Sequence, residues 1–266
     1  MNRLRHRTNM AERQEELWRP PLHRPSGSGV REVLAAARRF LDLQTASIWA
    51  DASAELPAVR GTALDVGCGA QPLRPLFDPA VRYIGIDTIH SKSHFGYEIP
   101  DTLYFEGDVW PIEDSSVDFV LCTETLEHVS DTAGFLAQTS RCLVPRGRMF
   151  LTVPFAARWH FVPHDYWRFT PSSLKRLLTA AGFCNIAVFA RGNEVTVACY
   201  KLMALLLPLL LPQGKGPFTA LALRIVSLPF LPCLVFLAAI ANLSLRSAGG
   251  DDCLGYTVIA EKGCIA

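Results

Sequence analysis

Thr62-Ala-Leu-Asp-Val-Gly-Cys-Gly-Ala70 is an apolar strand that ends near an acid and runs into two glycines one residue apart. Such a turn brings a nucleotide-type cofactor close to the backbone, because a Cβ at Gly67 or Gly69 would hinder both the turn and the approach of a ligand. By itself a Gly-x-Gly turn after a strand is a weak signal, shared by dinucleotide-binding folds and many ordinary turns. Its neighbours carry the reading.

Downstream, strand signals at Ala63 to Val66, Tyr83 to Ile86, Thr102 to Phe105, Phe119 to Cys122 and Met149 to Val153 alternate with helix signals, which predicts a parallel sheet. A helix from about Asp131 to Leu143 places Phe135, Leu136, Thr139 and Leu143 on one face and is stopped by Pro145-Arg-Gly147. Thr170-Pro171 reads as N-cap and first-turn proline of a helix through Ala181, closed by Gly182. Phe183 to Phe189 and Tyr256 to Ala260 are two further strands. Upstream, Val33, Leu34, Ala37, Phe40 and Leu41 recur at helical spacing, which predicts a helix from Val30 to about Trp49.

At 266 residues the chain has room for one large α/β domain with an embellishment. Residues 1–29 are expected to be a mobile N-terminal arm, 30–200 the core, 201–250 an apolar helical insertion, and 251–266 the last core strand and the C-terminus. Twenty-six basic and 25 acidic side chains leave a net charge of +1, so no global field favours nucleic acid, and no nucleic-acid partner is expected. The eight cysteines form no Cys-x-x-Cys pair and no zinc-type spacing with histidine. They read as reduced thiols in a cytoplasmic protein. Met1 to Ser28 is Arg-rich and holds no apolar run that would serve as a signal-peptide core.

Asp87 closes the second strand about twenty residues after the glycines, where a carboxylate accepts hydrogen bonds from ribose hydroxyls. That spacing also fits an NAD enzyme. The third strand end, Glu106-Gly-Asp108-Val-Trp110, separates the two readings. A carboxylate at Asp108 is placed to accept from an adenine amino group while the next backbone N–H donates to a ring nitrogen.

With Asp118-Phe-Val-Leu-Cys122, Leu126-Glu-His-Val129 and Arg141-Cys-Leu-Val-Pro-Arg-Gly147 following in order, the chain resembles a class I S-adenosylmethionine-dependent methyltransferase of the type 11 subgroup, over about Ala63 to Phe189 plus the last strand. The resemblance implies a doubly wound, Rossmann-like α/β sheet of seven strands with the apolar helical insertion before the last. It also implies S-adenosylmethionine as cofactor, with Asp65, Gly67 and Gly69 at its methionine and sugar end, Asp87 on the ribose, Asp108 and Val109 on the adenine, and Thr123 beside the sulfonium. The chain departs from the family in lacking the usual third glycine of the loop. Pro72 fixes the chain direction there, so the first helix is expected to start late or differently.

Methyl transfer requires an acceptor atom in line with the methyl group and, for some acceptors, removal of a proton. Neither task needs a metal, and no metal is expected: Glu127 and His128 make half a site without completing ligands in sight. The irregular segment after the fifth strand, with Arg158, Trp159, His160, His164, Asp165, Tyr166, Trp167 and Arg168, is the candidate acceptor region, suited to stacking on a ring or sugar and to pairing with an anion. His164 is the first candidate for general base, with Asp165 as its orienting partner and His160 as rival. The acceptor is expected to be small, offering an oxygen or nitrogen, and lipid-linked or glycan in character.

Leu202 to Leu245 is markedly apolar. Leu202 to Pro212 is too short to span a bilayer, Ile225 to Leu245 approaches spanning length, and Pro208, Pro212, Pro229 and Pro232 interrupt both. If Tyr256 to Ala260 returns to the sheet beside Phe183 to Phe189, the insertion ends on the side where it began, which disfavours one simple span. A re-entrant hairpin or surface-lying helices at the inner face of the cytoplasmic membrane satisfy that constraint; a hydrophobic lid or a dimer interface is the competing reading. Two further functional readings stand beside the enzyme: a non-catalytic cofactor-binding module that anchors a partner at the membrane, and an NAD-dependent oxidoreductase.

Overall fold

The computed structural model describes residues 29–161, 163–210 and 217–263. The expected arm therefore lies outside the described residues except for Gly29, which opens the first helix. Five strands, β1 Thr62–Val66, β2 Arg82–Thr88, β3 Thr102–Phe105, β4 Val117–Thr123 and β5 Leu143–Pro154, are parallel. β6 Phe183–Arg191 and β7 Gly255–Lys262 complete a seven-stranded sheet in the order β3-β2-β1-β4-β5-β7-β6, with β7 antiparallel to both neighbours.

The central strands read as continuous apolar runs because both faces of the sheet are covered. On one face Leu64, Val66, Val120, Cys122, Met149, Leu151 and Val153 pack with Leu136, Leu174 and Leu178 of helices α4 Thr132–Cys142 and α5 Pro171–Ala180. On the other face Ala63, Phe119, Leu121 and Phe150 pack with Ile48, Ala52 and Leu56. Alternate residues of each strand thus serve opposite cores, as the period-2 pleat requires.

The N-terminal helix is broken where one helix was expected. α1 Gly29–Leu41 ends at Asp42, whose carboxylate accepts from the Thr45 amide and so caps α2 Leu43–Glu55. Val33 and Leu34 are exposed, whereas Phe40 and Leu41 pack inward. Pro145-Arg-Gly147 does not stop α4, which already ends at Cys142. It forms a bulge in β5, with Arg146 at φ 66° and a register shift against β4. The chain from β1 to β2 contains no α-helix, only a 3-10 turn at Arg74–Leu76, in keeping with the constraint at Pro72. α3 Ile89–Phe95 follows β2.

Between β6 and β7 lie α6 Glu194–Leu210, α7 Pro217–Ser227 and α8 Leu231–Ser244. The helix carrying the apolar run begins well before Leu202. Val197, Cys199 and Met203 of α6 pack on Leu234, Ala238 and Ala241 of α8, with Leu43 and Leu254 beneath them. Ile225–Ser244 is a helical stretch of 20 residues with mean hydropathy 2.1, yet β7 returns between β5 and β6, so both ends of the insertion are tied to the same sheet. The outer side exposes Phe218, Leu221, Ile225, Val226, Leu228, Val235 and Phe236.

Asp65 on β1 is 3% exposed and accepts a hydrogen bond from the Tyr83 hydroxyl on β2. Burial pushes its carboxyl up to about 7, against the Tyr83 bond and helped by the nearby charge of Asp87. An unfolded aspartate titrates near about 3.9, so folding takes up a proton between those values. This contribution to stability is fully present below about pH 4 and declines as pH rises toward 7. Asp65→Asn should remove that decline: the stability difference between variant and wild type, measured by urea denaturation from pH 4 to 8, should move in favour of the variant as pH rises. A difference independent of pH would show that Asp65 does not hold the proton.

Candidate active site

The sheet order reverses between β1 and β4. Chain leaving β1 proceeds toward β2 and β3, and chain leaving β4 proceeds to β5, so a crevice opens at their carboxyl ends. Val66 and Cys122 are paired in register, which sets Gly67–Gly69 directly beside Thr123–His128. Both glycines have positive φ, 68° and 48°. A Cβ on Gly67 would lie 2.5 Å from the Thr125 side chain, whereas one on Gly69 would meet nothing nearer than the Tyr97 hydroxyl at 3.9 Å. Gly67 is thus required by the β4 loop, and Gly69 keeps its outer side open.

The glycine loop is fastened to β2. The amides of Gly67 and Cys68 donate to the Ile86 carbonyl at 3.0 and 3.2 Å, and the Gly69 amide donates to Asp87 Oδ2 at 3.0 Å. Asp87 Oδ1 accepts from the Thr88 amide at 2.8 Å. Burial raises the Asp87 carboxyl and these amides oppose the rise. Behind the loop, Gln71 Nε2 donates to Thr102 Oγ1 at 3.0 Å. Asp108 and Val109 stand exposed after β3, Val109 at 70%, and Thr123 ends β4. Asp65 differs from the rest: its carboxyl is engaged inside the fold by Tyr83 rather than presented to the crevice. Sequence reading missed Tyr97, which sits in an unpatterned loop and whose hydroxyl reaches the glycine turn only through the fold.

Beneath the crevice, Glu124 at φ 48° is held by Arg191, which is 3% exposed. The guanidinium donates to Glu124 Oε1 at 2.8 Å, the Val153 carbonyl at 3.1 Å and Ser47 Oγ at 3.3 Å. A Cβ at Gly255 would strike the same guanidinium at 2.3 Å, so that glycine makes the strut fit.

The acceptor segment folds against the 3-10 turn Leu126–His128, with the amides of Tyr166 and Trp167 donating to the Glu127 carbonyl at 2.9 and 3.3 Å. Asp165 does not orient His164, contrary to expectation. It accepts from Arg168 at 2.6 and 2.8 Å and from the His160 amide at 3.0 Å, and lies 3.1 Å from His160 Nδ1. His164, adjacent to Asp165 in the chain, has its Nδ1 3.3 Å from the Tyr166 hydroxyl instead. Burial alone would raise the Asp165 carboxyl, but the bonds from Arg168 and His160 reverse this and hold it below the ordinary range. Burial opposes the His160 cation, yet Asp165 and the Arg158 carbonyl leave its pKa raised. Burial pushes His128 down to about 4, against the carbonyl of His164 that its Nδ1 meets at 2.7 Å. A cleft of about 270 Å³ is lined by Ala157, Trp159, Asp165, Tyr166, Trp167 and Arg168.

A second, apolar groove of about 450 Å³ runs between α1 and α6, lined by residues that include Ala37, Leu41, Tyr200, Met203, Ala204 and Leu207. Lys201 on the same helix donates to the Ala156 carbonyl at the start of the irregular segment. Tyr200 is raised first by burial and then by Asp42, and it also feels the charges of Arg158, Glu124 and Arg168.

Residues 35–188 match the family model described as a methyltransferase domain, of type 23 where the motifs suggested type 11. Among curated proteins, the chain is 32% identical over 115 residues to an uncharacterized 37.1 kDa protein in transposon TN4556 of Streptomyces fradiae, covering 40% of this chain and 32% of that one. It is 30% identical over 151 residues to the ubiquinone biosynthesis O-methyltransferase of Rhodopseudomonas palustris, covering 50% of this chain and 55% of that one. The chain thus spans about a third to about half the length of these relatives. Of solved structures, a SAM-dependent methyltransferase from Thermotoga maritima superposes with a TM-score of 0.52 at 17% identity, over 87% of this chain and 97% of that one. The family match covers more than half the chain, and it falls on the sheet, the glycine loop and the acidic strand ends described above: the chain belongs to the methyltransferase-domain family and has the class I, Rossmann-like fold of S-adenosylmethionine-dependent methyltransferases.

Proposed function

We propose that this domain transfers the methyl group of S-adenosylmethionine to an oxygen or nitrogen of a small amphiphilic acceptor, lipid-linked or glycan in character, in the cytoplasm at the inner face of the membrane. Gly67 and Gly69 would admit the methionine and sugar end, Asp87 the ribose, Asp108 and Val109 the adenine, and Thr123 would lie beside the sulfonium. The observation that carries the acceptor class is the apolar groove at Met203, Ala204 and Leu207 on α6, whose neighbouring Lys201 bonds the Ala156 carbonyl one residue before the segment that lines the polar cleft. An apolar tail fits the first and a polar head the second. The curated relative that is a ubiquinone biosynthesis O-methyltransferase supports oxygen as the acceptor atom. His164, exposed and not bonded to Asp165, is the group proposed to take a proton from the acceptor.

In the transfer, the acceptor lone pair attacks the methyl carbon, the carbon–sulfur bond breaks with its electron pair staying on sulfur, and S-adenosylhomocysteine leaves. Chain groups contribute alignment, exclusion of water and proton removal. The exposed apolar side of α7 and α8 is larger than scattered surface residues explain, and it supports contact with a lipid surface beside the groove. Neither the non-catalytic anchor nor the oxidoreductase accounts for both a polar cleft in the segment after β5 and an apolar groove on α6.

Calorimetric titration should show binding of S-adenosylmethionine and none of NAD. Asp87→Ala should weaken it by roughly a hundredfold, the consequence of losing charge-assisted bonds of about 1.5–3 kcal/mol each. Binding of NAD instead would overturn the assignment. With radiolabelled cofactor and membrane extracts, Ala204→Trp, which fills the groove, should cut label entering solvent-soluble lipids at least tenfold without altering cofactor affinity. His164→Ala should slow the same transfer. Equal labelling by wild type and Ala204→Trp would remove the amphiphilic acceptor. Sedimentation with phosphatidylglycerol vesicles should be lost on combining Phe218→Ser with Val226→Ser; retention by that variant would place the lipid contact elsewhere or nowhere.

A further inference from the structure

Fold geometry brings His160 to the adjacent pair Glu127 and His128, more than thirty positions earlier in the sequence. One donor atom of each lies within 4.8 Å of the others. Glu127 is 0% exposed, and neither carboxylate oxygen has a hydrogen-bond partner among the described residues. A buried carboxyl group without a partner is costly to keep. His128 Nε2 lies 3.6 Å from Oε1, too far for a hydrogen bond.

Both imidazoles are already oriented from behind. His128 Nδ1 is 2.7 Å from the His164 carbonyl, which places the proton on Nδ1 and the lone pair on Nε2, facing Glu127. His160 Nδ1 meets the Arg158 carbonyl at 3.0 Å and Asp165 Oδ2 at 3.1 Å, leaving Nε2 to bind. A histidine whose far nitrogen is held by a carbonyl or a carboxylate is the usual arrangement around a bound metal. The nearby Arg168 cation is matched by two bonds to Asp165, and Glu124 is paired with Arg191. Glu127 is therefore left as the buried carboxyl group without a partner; burial, with Glu124 adding to it, holds it well above the ordinary carboxylate range, and a bound cation would take the place of its proton.

We propose that Glu127, His128 and His160 form a divalent-cation site of zinc type, with two imidazoles, one carboxylate and an open position. Two nitrogen donors favour zinc over magnesium or calcium, which prefer oxygen. Zinc with bonds of about 2.0–2.1 Å sets donor separations of about 3.3 Å in a tetrahedron. The Glu127–His128 distance of 3.6 Å is close to that, so closure asks mainly for a small approach of His160. The site adjoins the acceptor segment, which supplies His160 and whose His164 carbonyl meets His128, but it does not depend on the apolar groove or on the cofactor loop.

The test uses full-length protein carrying Cys184→Ser, Cys233→Ser and Cys264→Ser, so that these thiols cannot take up metal. After treatment with a chelator it is titrated with Zn2+ against a chromophoric competitor, and with Co2+ followed by visible absorption. One equivalent of Zn2+ should bind at micromolar affinity or tighter, and Co2+ should give the absorption of a low-coordinate site. Glu127→Gln and His160→Gln should each weaken binding beyond the roughly 10–100-fold that loss of an outer-sphere partner costs, while His90→Ala changes nothing. Should Glu127→Gln fail to fold, His160→Gln, nearer the surface, gives the same reading. No stoichiometric binding by the parent protein, or binding that survives both substitutions, would overturn the site. Cofactor binding measured in parallel would stand in either case, so loss of the metal site is distinguishable from failure of the methyltransferase reading.

Discussion

Parallel pairing of β1 with β4, whose onward connections diverge, is the constraint on which the rest depends. It forces two loops to leave one edge of the sheet side by side, and each loop shapes the other. Thr125 on the β4 side fills the space that a Cβ at Gly67 would need. Asp87 at the next strand end takes the Gly69 amide. This edge is thus a set of backbone positions fixed by three neighbouring strands, and its shape does not rest on a helix following β1, where only a 3-10 turn is found.

Charged groups do the corresponding work on the acceptor side. Arg191 ties the β4 loop to β5 and α2 through Glu124, the Val153 carbonyl and Ser47. Arg168 and Asp165 fold the segment after β5 into a turn that holds His160. Each is a buried or half-buried pair whose net contribution to stability is small, because desolvation offsets attraction. Their structural effect is positional: they hold irregular chain in place where no strand or helix ladder is available.

The insertion follows from the same sheet. β7 lies between β5 and β6 and antiparallel to both, so chain leaving β6 must come back to the place it left. α6 and α8 satisfy this by packing on each other through Val197, Met203, Leu234 and Ala238. The inner face of the pair completes a third core with Leu43 and Leu254, and one flank opens the groove at Ala204 and Leu207. A helical stretch with the length of a membrane span is in this way used as one arm of a hairpin.

Seven strands, their order of appearance and the acidic residues closing them were legible in the sequence, because alternation of apolar runs with helical periodicity is a local property and strand-end carboxylates follow it at fixed spacing. The N-cap of α5 at Thr170 was legible for the same reason. Three things were not. The break at Asp42 depends on a side chain bonding three residues ahead, which competes with an uninterrupted apolar period. The role of Asp65 depends on Tyr83 across the sheet, and the partner of Asp165 depends on how a loop without periodicity folds back on the Leu126–His128 turn. Sequence therefore determined which elements exist and where the glycine loop and the strand-end acids sit among them. Tertiary structure alone decided which histidine meets which carboxylate, since that pairing joins segments whose only connection is through the core between them.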